Sequence, residues 1–334
     1  MRVTIHDIAK LLGVSPSTVS RALSGKGRIS PAMREKIRQV AEELGYRPNA
    51  LARGLATHRT GEVGVVIHER HLPLDERSFY GVILEAIEAE LAQHGYHVLF
   101  STLGDQLFPR CVEERRVDGL IILGTDVSED LVRSLAQIVP LVLVDHALPG
   151  IPSVVGDNVG GAKLATAHLL EHGHREVAFV AETLTDPSFR ARFEGYQLAL
   201  KERGLRVRKD FVVEGGRRSD SDRVAMEKLL GGKRLPTAIF AANDFMAVGA
   251  IKALTKAGFR VPKDVAVVGF DDGALATVVH PPLTTVRVPR VEMGRASARK
   301  LLRLLRGEEM TPVVEVLPTT LTVRASCGCG SHSG

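Results

Sequence analysis

Two sets of side chains in this chain have types and spacings that suit recognition chemistry. Pro16, Ser17, Ser20 and Arg21 fall on the outward face of a short helical stretch. Serine hydroxyls make single bonds to bases or phosphates, and a guanidinium forks onto guanine O6 and N7. The second set is dispersed. Asp145 follows PLVLV, Asn243 and Asp244 follow TAIFAA, and Asp271 and Asp272 follow VAVVGF, while Arg190 and Arg192 open a helical stretch that carries Tyr196. Carboxylates and amides are bidentate partners for sugar hydroxyls or purine edges, and a guanidinium anchors a ring oxygen or an anion. Carboxylates at strand ends also act as helix N-caps, so position alone assigns none of them to a ligand.

Catalytic constellations are missing. The chain contains no G-x-x-x-x-G-K-[ST], no G-x-G-x-x-G and no G-x-S-x-G. Asp271 and Asp272 are adjacent at a strand end and point to opposite sides, which makes a poor acid/base pair. His168 to His172 spell H-x-x-E-H, with both histidines on one helical face, but a catalytic zinc needs a third protein ligand and an open position. No convincing third ligand is near in sequence, so the segment reads as a surface helix ending at Gly173. Cys327, Cys329 and His332 make one incomplete soft-metal cluster in a Gly/Ser-rich end, which reads as a mobile tail. No enzyme activity, cofactor or metal is expected.

The elements that must position these residues divide the chain unequally. Residues 1–60 carry 11 Lys and Arg against 4 Asp and Glu, which leaves 33 against 35 for the rest of the 334 residues. A basic module on a nearly neutral body suggests an arm that meets a polyanion. In that module Thr4 and Asp7 have the capping-box spacing, and Ile5, Ile8, Ala9 and Leu12 repeat at helical spacing up to Gly13. Ser15 and Pro16 start a second helix, with Val19, Ala22 and Leu23 as its buried side. Ser30 and Pro31 start a third, with Met33, Ile37, Val40, Ala41 and Leu44 in one stripe. Two short helices joined by a tight turn make a helix-turn-helix, whose second helix enters the major groove by its N-terminal end.

From Gly61 strand-length apolar runs alternate with helical stretches: VGVVI, YHVLF, GLIIL and PLVLV, then EVAFV, TAIFA and VAVVG. This is the signature of parallel sheets covered on both faces. Two open α/β domains result, joined near SVVGDNVGG. A last helix, Pro289 to Arg306, packs back through Val291, Met293, Ala298, Leu301, Leu302 and Leu305. In such sheets ligands bind beyond the carboxyl ends of the strands, where the acidic and amide groups lie.

The stretch VTIHDIAKLLGVSPSTVSRALSG, followed by REKIRQVAEELGYRPNALARGLA, closely resembles the DNA-binding headpiece and hinge of the lactose-repressor/galactose-repressor family of bacterial regulators. VDGLIILGT, PLVLVD, GDNVGGAKLATAHLLEHGHREVAFV, RFEGYQLAL, AANDFMAVGAIKAL and VAVVGFDDG are similar to the family's effector-binding core, itself like periplasmic sugar-binding proteins. The resemblance implies DNA contacts at Thr4, Ser15, Pro16, Ser17, Thr18, Ser20, Arg21 and Arg28, and a hinge contributing Asn49, Ala52, Arg53 and Leu55. A hinge of about two helical turns is too short to be stable alone in water, and Leu55 matches the leucine that wedges open a minor-groove base step. The family's effector contacts fall on Asp145, Arg192, Asn243 and Asp271, with Phe79 and Tyr80 as an aromatic wall. Arg190 joins the candidate set from its place beside Arg192. The loop HERHLPLDERSFY departs from the family and supports no particular ligand.

The expected fold is an α/β core of two doubly wound parallel-sheet subdomains, periplasmic-binding-protein-like, preceded by an all-α helix-turn-helix headpiece. The expected divisions are 1–46 (headpiece), 47–60 (hinge), 61–157 with 289–316 (first effector-binding subdomain), 158–288 with 317–326 (second), and 327–334 (flexible tail). The expected function is a repressor that binds a roughly palindromic operator as a homodimer and is controlled by a small effector, a sugar or sugar derivative, in the cleft between the subdomains. The alternatives are control by a protein corepressor in place of, or together with, a sugar, and a solute-binding protein. An N-terminus without an apolar signal region and three cysteines without a disulfide framework set the expectation of a cytoplasmic protein with no membrane partner.

Overall fold

The computed structural model describes residues 3–23, 25, 27–46, 59–74, 78–104, 108–217 and 220–329. The chain forms two compact units, residues 1–60 and 61–334.

Among the described residues the first unit contains three helices, α1 (Ile5–Leu12), α2 (Pro16–Leu23) and α3 (Pro31–Glu43). Their ends follow from local chemistry. The Asp7 carboxylate accepts from both the backbone N–H and the hydroxyl of Thr4, each at 2.8 Å. Gly13 stops α1 in the left-handed region at φ 64°, where a side chain would be strained. Ser15 Oγ accepts from Thr18 N at 3.1 Å and Ser30 Oγ from Met33 N at 3.3 Å, so each caps the helix that follows. Ile8, Ala9, Val19, Ala22, Ile37 and Ala41 form the shared core. The hinge candidates Asn49, Ala52, Arg53 and Leu55 lie outside the described residues.

The second unit is built on two six-stranded sheets. The first contains β1 (Glu62–His68), β2 (His97–Leu103), β3 (Gly119–Leu123), β4 (Leu141–Val144), β5 (Ser153–Gly156) and β11 (Val314–Leu317), in the order β11-β5-β4-β3-β1-β2, with every neighbouring pair parallel. The second contains β6 (Val177–Ala181), β7 (Val212–Glu214), β8 (Ala238–Ala241), β9 (Ala266–Asp271), β10 (Thr284–Arg287) and β12 (Thr320–Thr322), in the order β12-β10-β9-β8-β6-β7. Its edge strand β12 runs antiparallel to β10, a departure from a purely parallel sheet. The central strands β3, β4, β6 and β8 are buried along their whole length because helices cover both faces, which explains their unbroken apolar sequences.

The chain passes between the sheets three times: after β5, after β10, and between β11 and β12. One helix pair backs each sheet at close range. In the first lobe α4 (Phe79–Gln93) meets α12 (Arg290–Leu305), and a Cβ at Gly294 would stand 2.5 Å from the Ile83 carbonyl oxygen. In the second, α7 (Asn158–Glu171) meets α8 (Pro187–Glu202), and a Cβ at Gly195 would stand 2.2 Å from the Val159 carbonyl oxygen. Only glycine allows either approach.

Two expectations need correction. Val291 is 46% exposed and takes no part in the packing of α12, which rests on Met293, Ala298, Leu301 and Leu302. The segment from residue 327 is no mobile tail as far as residue 329. Cys327 is buried, its sulfur accepting from the Thr284 hydroxyl at 3.1 Å, and Cys329 lies against His168. Ser326 explains the anchoring: its hydroxyl donates to the Val267 carbonyl at 2.6 Å and accepts from Thr284 N at 2.8 Å, which fixes the strap to the second sheet.

Candidate functional site

The described headpiece contacts lie on α2, on the segments before and after it, and at Thr4, the N-cap of α1. On α2, Ser17, Ser20 and Arg21 are exposed and Pro16 and Thr18 half-buried, while Val19 and Ala22 face the core. Thr4, Ser15 and Arg28 are exposed as well. The hydroxyls of Ser15, Ser17 and Thr18 are bonded to one another, at 2.8 Å from Ser15 to Ser17 and 2.9 Å from Ser15 to Thr18. These bonds preorganise a polar N-terminal end of α2.

In the second unit the carboxyl ends of the strands face a cavity of about 500 Å³ between the two sheets. Asp145 directly follows β4 and Asp271 ends β9. Both adopt positive φ, 60° and 115°, so each strand turns sharply and points its carboxylate toward the cavity. Asp145 is buried and accepts from the Tyr80 hydroxyl at 2.9 Å.

Arg192 from α8 is 3% exposed and joins most of this arrangement. Its Nε donates to the Asn158 side-chain oxygen at 2.8 Å and its Nη1 to the Ala242 carbonyl at 2.6 Å. Its Nη2 stands 3.3 Å from Asp271 Oδ1, and the guanidinium lies over the Phe270 ring at 3.9 Å. Asp271 Oδ1 is buried and has the ion pair but no aligned hydrogen bond among the described residues. It is therefore an acceptor with bonding capacity left for a ligand. Burial pushes Asp145 up to about 7, against the pull of Arg192 and Tyr80. It raises Asp271 in the same way, against Arg192.

Asn243 lines the cavity and caps α10 (Asp244–Lys256), its Oδ1 accepting from Met246 N at 2.8 Å and its Nδ2 donating to Glu182 at 3.3 Å. Phe79 and Tyr80 also line the cavity, their rings edge to face at 5.0 Å. Arg190 does not join them. It is exposed and outside the cavity, because two residues along a helix turn a side chain by about 200° to the opposite face. The carboxylates next to the named ones serve the scaffold. Asp244 is held by the Thr285 hydroxyl at 2.5 Å and Gly273 N at 2.8 Å, and Asp272 by Arg287 and Arg324, each at 2.6 Å.

Other residues at the rim are not evident from sequence. Asp126, after β3, binds Arg70 at 2.9 Å, His71 at 2.6 Å and Arg217 at 2.8 Å, and Arg70 also reaches Glu182 at 3.3 Å. Burial would raise Asp126, but His71 and the two arginines hold it well below the usual carboxylate range. The Thr125 hydroxyl donates to Asp186, the N-cap of α8, at 2.5 Å. These bonds join residues flanking the first sheet to residues flanking the second. Arg70 and His71 lie in the loop that supports no ligand by resemblance. The strand-end rule applied to β1, β3 and β6 would have pointed to His71, Asp126 and Glu182. Phe189 and Phe245 add aromatic surface from the second lobe.

Comparison with known proteins matches the two-part architecture. Residues 4–49 match the model of bacterial regulatory proteins of the lacI family, and residues 166–327 match the periplasmic binding protein-like domain. Catabolite control protein A of Priestia megaterium is 37% identical over 336 residues, covering 98% of this chain and 99% of its own. Among solved structures, a complex of the transcriptional regulator CelR with cellobiose is 35% identical with a TM-score of 0.72, covering 97% of this chain and 100% of that one. A lac repressor dimer bound to operator and the anti-inducer ONPF is 29% identical with a TM-score of 0.82, covering 98% of this chain and 99% of that one. No helix among the described residues is long and apolar enough to cross a membrane. A helix-turn-helix headpiece joined to a two-sheet core, matched over nearly its whole length, identifies the chain as a member of the lacI family of bacterial transcriptional regulators.

Proposed function

We propose that this regulator is a repressor that binds a roughly palindromic operator as a homodimer, and that a neutral sugar in the cavity between the lobes controls its operator affinity. The observation that carries the effector assignment is the charge and bonding of that cavity. Among the described residues its lining holds three arginines against five carboxylates, Asp126, Asp145, Glu182, Asp186 and Asp271. An excess of acceptors disfavours a phosphate and favours a ligand rich in hydroxyl donors. Arg192 and Asn243 supply donors to ring and hydroxyl oxygens, and Phe79, Phe189 and Phe245 supply apolar faces for a pyranose ring. The cellobiose complex of CelR supports a saccharide as the ligand class.

The mechanism follows from how the lobes are joined. A ligand bonded to Asp145 in one lobe and to Arg192 and Asp271 in the other changes the balance between open and closed arrangements, because it binds one better. The rim bonds Arg70–Glu182, Arg217–Asp126 and Thr125–Asp186 are the ones that such a movement makes or breaks. Movement of the first lobes in a dimer would alter the spacing of the two hinges and headpieces on the duplex. Coupling is reciprocal, so operator must change sugar affinity by the same factor.

A thermal-shift screen of the full chain against mono- and disaccharides, sugar phosphates, nucleosides and purines tests the reading. A neutral saccharide at 100 times its Kd is expected to add ~2.7 kcal/mol of stability, and the same compound should change operator affinity in fluorescence anisotropy. A phosphorylated or purine ligand as the sole hit would replace the sugar assignment. Leu55→Ala is expected to abolish tight operator binding while leaving the sugar-induced shift intact. Equal operator affinity in that variant would remove the minor-groove wedge from the mechanism.

A further inference from the structure

The far end of α7 contains a cluster that neither recognition site uses. His168 lies in the last turn and His172 is the C-cap, four residues apart and on the same face. Their rings meet edge to face with centroids 4.6 Å apart. The C-terminal strap, fixed by Ser326 to the second sheet, brings Cys329 Sγ to 3.2 Å from His168 Nε2. One ligand atom from each of His168, His172 and Cys329 lies within 4.8 Å of the other two. The sequence supplies the two histidines as a pair, and the third donor arrives from 157 positions further along the chain.

Two imidazoles and a thiol form a donor set for a borderline-soft cation and a poor one for magnesium or calcium. In a tetrahedral zinc site, with Zn–N about 2.0–2.1 Å and Zn–S about 2.3 Å, ligand atoms stand about 3.6 Å apart. The His168–Cys329 pair is already close to that separation. His172 is exposed and can close the remaining gap by rotating its side chain, and its exposure leaves the cation a path in from solvent. The cluster is not laid out for hydrolysis. Glu171, the residue that H-x-x-E-H chemistry uses as its base, is bound to Arg203 at 2.9 Å.

We propose that His168, His172 and Cys329 form a binding site for one zinc-class divalent cation, which fastens the C-terminal strap to the end of α7. Binding replaces the Cys329 proton, which leaves to solvent, with a metal–thiolate bond, and the fourth coordination position is open to water. At its other end α7 begins with Asn158, which accepts from Arg192 in the cavity. The cation thus secures the helix that holds the effector-facing arginine.

The test is a titration of the full chain with Co²⁺, a spectroscopic substitute for zinc, after metal removal with a chelator and in a thiol-free reductant. One Co²⁺ per chain is expected, with a thiolate-to-cobalt charge-transfer band and the visible absorption of tetrahedral cobalt, both removed by added zinc. Cys329→Ser should lose the charge-transfer band. His172→Ala, a change at an exposed position, should weaken Co²⁺ binding roughly tenfold or more. Both variants should match the wild-type melting temperature in the presence of chelator, which separates lost ligation from lost folding. Absence of the charge-transfer band in the wild-type chain overturns the site. A band that survives in Cys329→Ser overturns it too, by giving the thiolate role to another cysteine.

Discussion

The headpiece face and the cavity, the two proposed recognition sites, are assembled over different distances in the chain. In the headpiece the bonds that shape the reading face are local: Thr4 to Asp7, Ser15 to Ser17 and Thr18, and Ser30 to Met33. In the cavity Tyr80 reaches Asp145, Arg192 reaches Asn158 and Ala242, and Arg217 reaches Asp126. The headpiece thus gathers its chemistry from about thirty residues of local helix signals, whereas the cavity gathers its own from strand ends on two sheets. Damage should therefore spread differently. A side chain lost from the reading face removes one contact, but a side chain lost from the cavity leaves buried partners unsatisfied.

Arg192→Ala tests this difference at its largest. The substitution removes three polar contacts and leaves Asp271 facing the cavity without its cation. Breaking a buried pair by removing one partner costs about 3–5 kcal/mol. Urea denaturation of the second unit should register a loss of that size, and sugar binding should disappear. Arg192→Lys should not restore it, since an ammonium cannot reach Asn158, Ala242 and Asp271 at once. A variant of wild-type stability would show that the cavity is as forgiving as the headpiece.

Arg21→Ala is the matching change on the reading face. A bidentate guanidinium–guanine contact contributes about 1–3 kcal/mol of discrimination, so operator affinity in anisotropy should fall by a factor of roughly 5 to 150 while sugar binding and urea stability stay as they were. The exposed position of Arg21 at the end of α2 is what confines the damage. A stability loss comparable to that of Arg192→Ala would break the distinction between the two sites.

The same difference in range explains how much was legible in the sequence. Helix starts and stops in residues 4–45 depend on Ser, Asp, Pro and Gly at fixed offsets, and the three helices fall where those residues place them. Strands such as PLVLV and VAVVG are legible because a strand buried on both faces must be apolar throughout. The placement of Asp145 and Asp271 at strand ends followed from the same logic. Spacing along α8 could have separated Arg192 from Arg190, since only one of two residues so placed can face the cavity. Nothing local revealed Asp126 as the partner of Arg70, Arg217 and His71, or Cys329 as a neighbour of His168, because those contacts depend on how the two sheets and the C-terminal strap come together.

The smallest expected effect on binding is a pH dependence confined to the cavity. Burial raises Asp145 from 3.8 to about 7. For an acid raised in the folded state, the stabilising contribution is fully present below the unfolded value and is lost as pH rises through the folded one. The ligand-free second unit should therefore lose stability between about pH 4 and 7 on account of Asp145 and Asp271, and Asp145→Asn should reduce that slope, leaving the part that belongs to Asp271. Sugar binding runs the other way. A hydroxyl that donates to Asp145 bonds more strongly to the ionised carboxylate than to the neutral acid, so the ligand draws the proton off and binds more tightly at higher pH. For a group that titrates near 7, lowering the pH from 8 to 6 should weaken the sugar by up to about tenfold, about 1.4 kcal/mol. Calorimetry in buffers of different ionisation enthalpy would also detect the released proton. Operator binding through exposed Ser17, Ser20 and Arg21 has no such group and should respond to salt instead, since its contacts are largely to phosphate. A sugar Kd that stays flat from pH 8 to 6 would mean that Asp145 keeps its bond to Tyr80 and never meets the ligand.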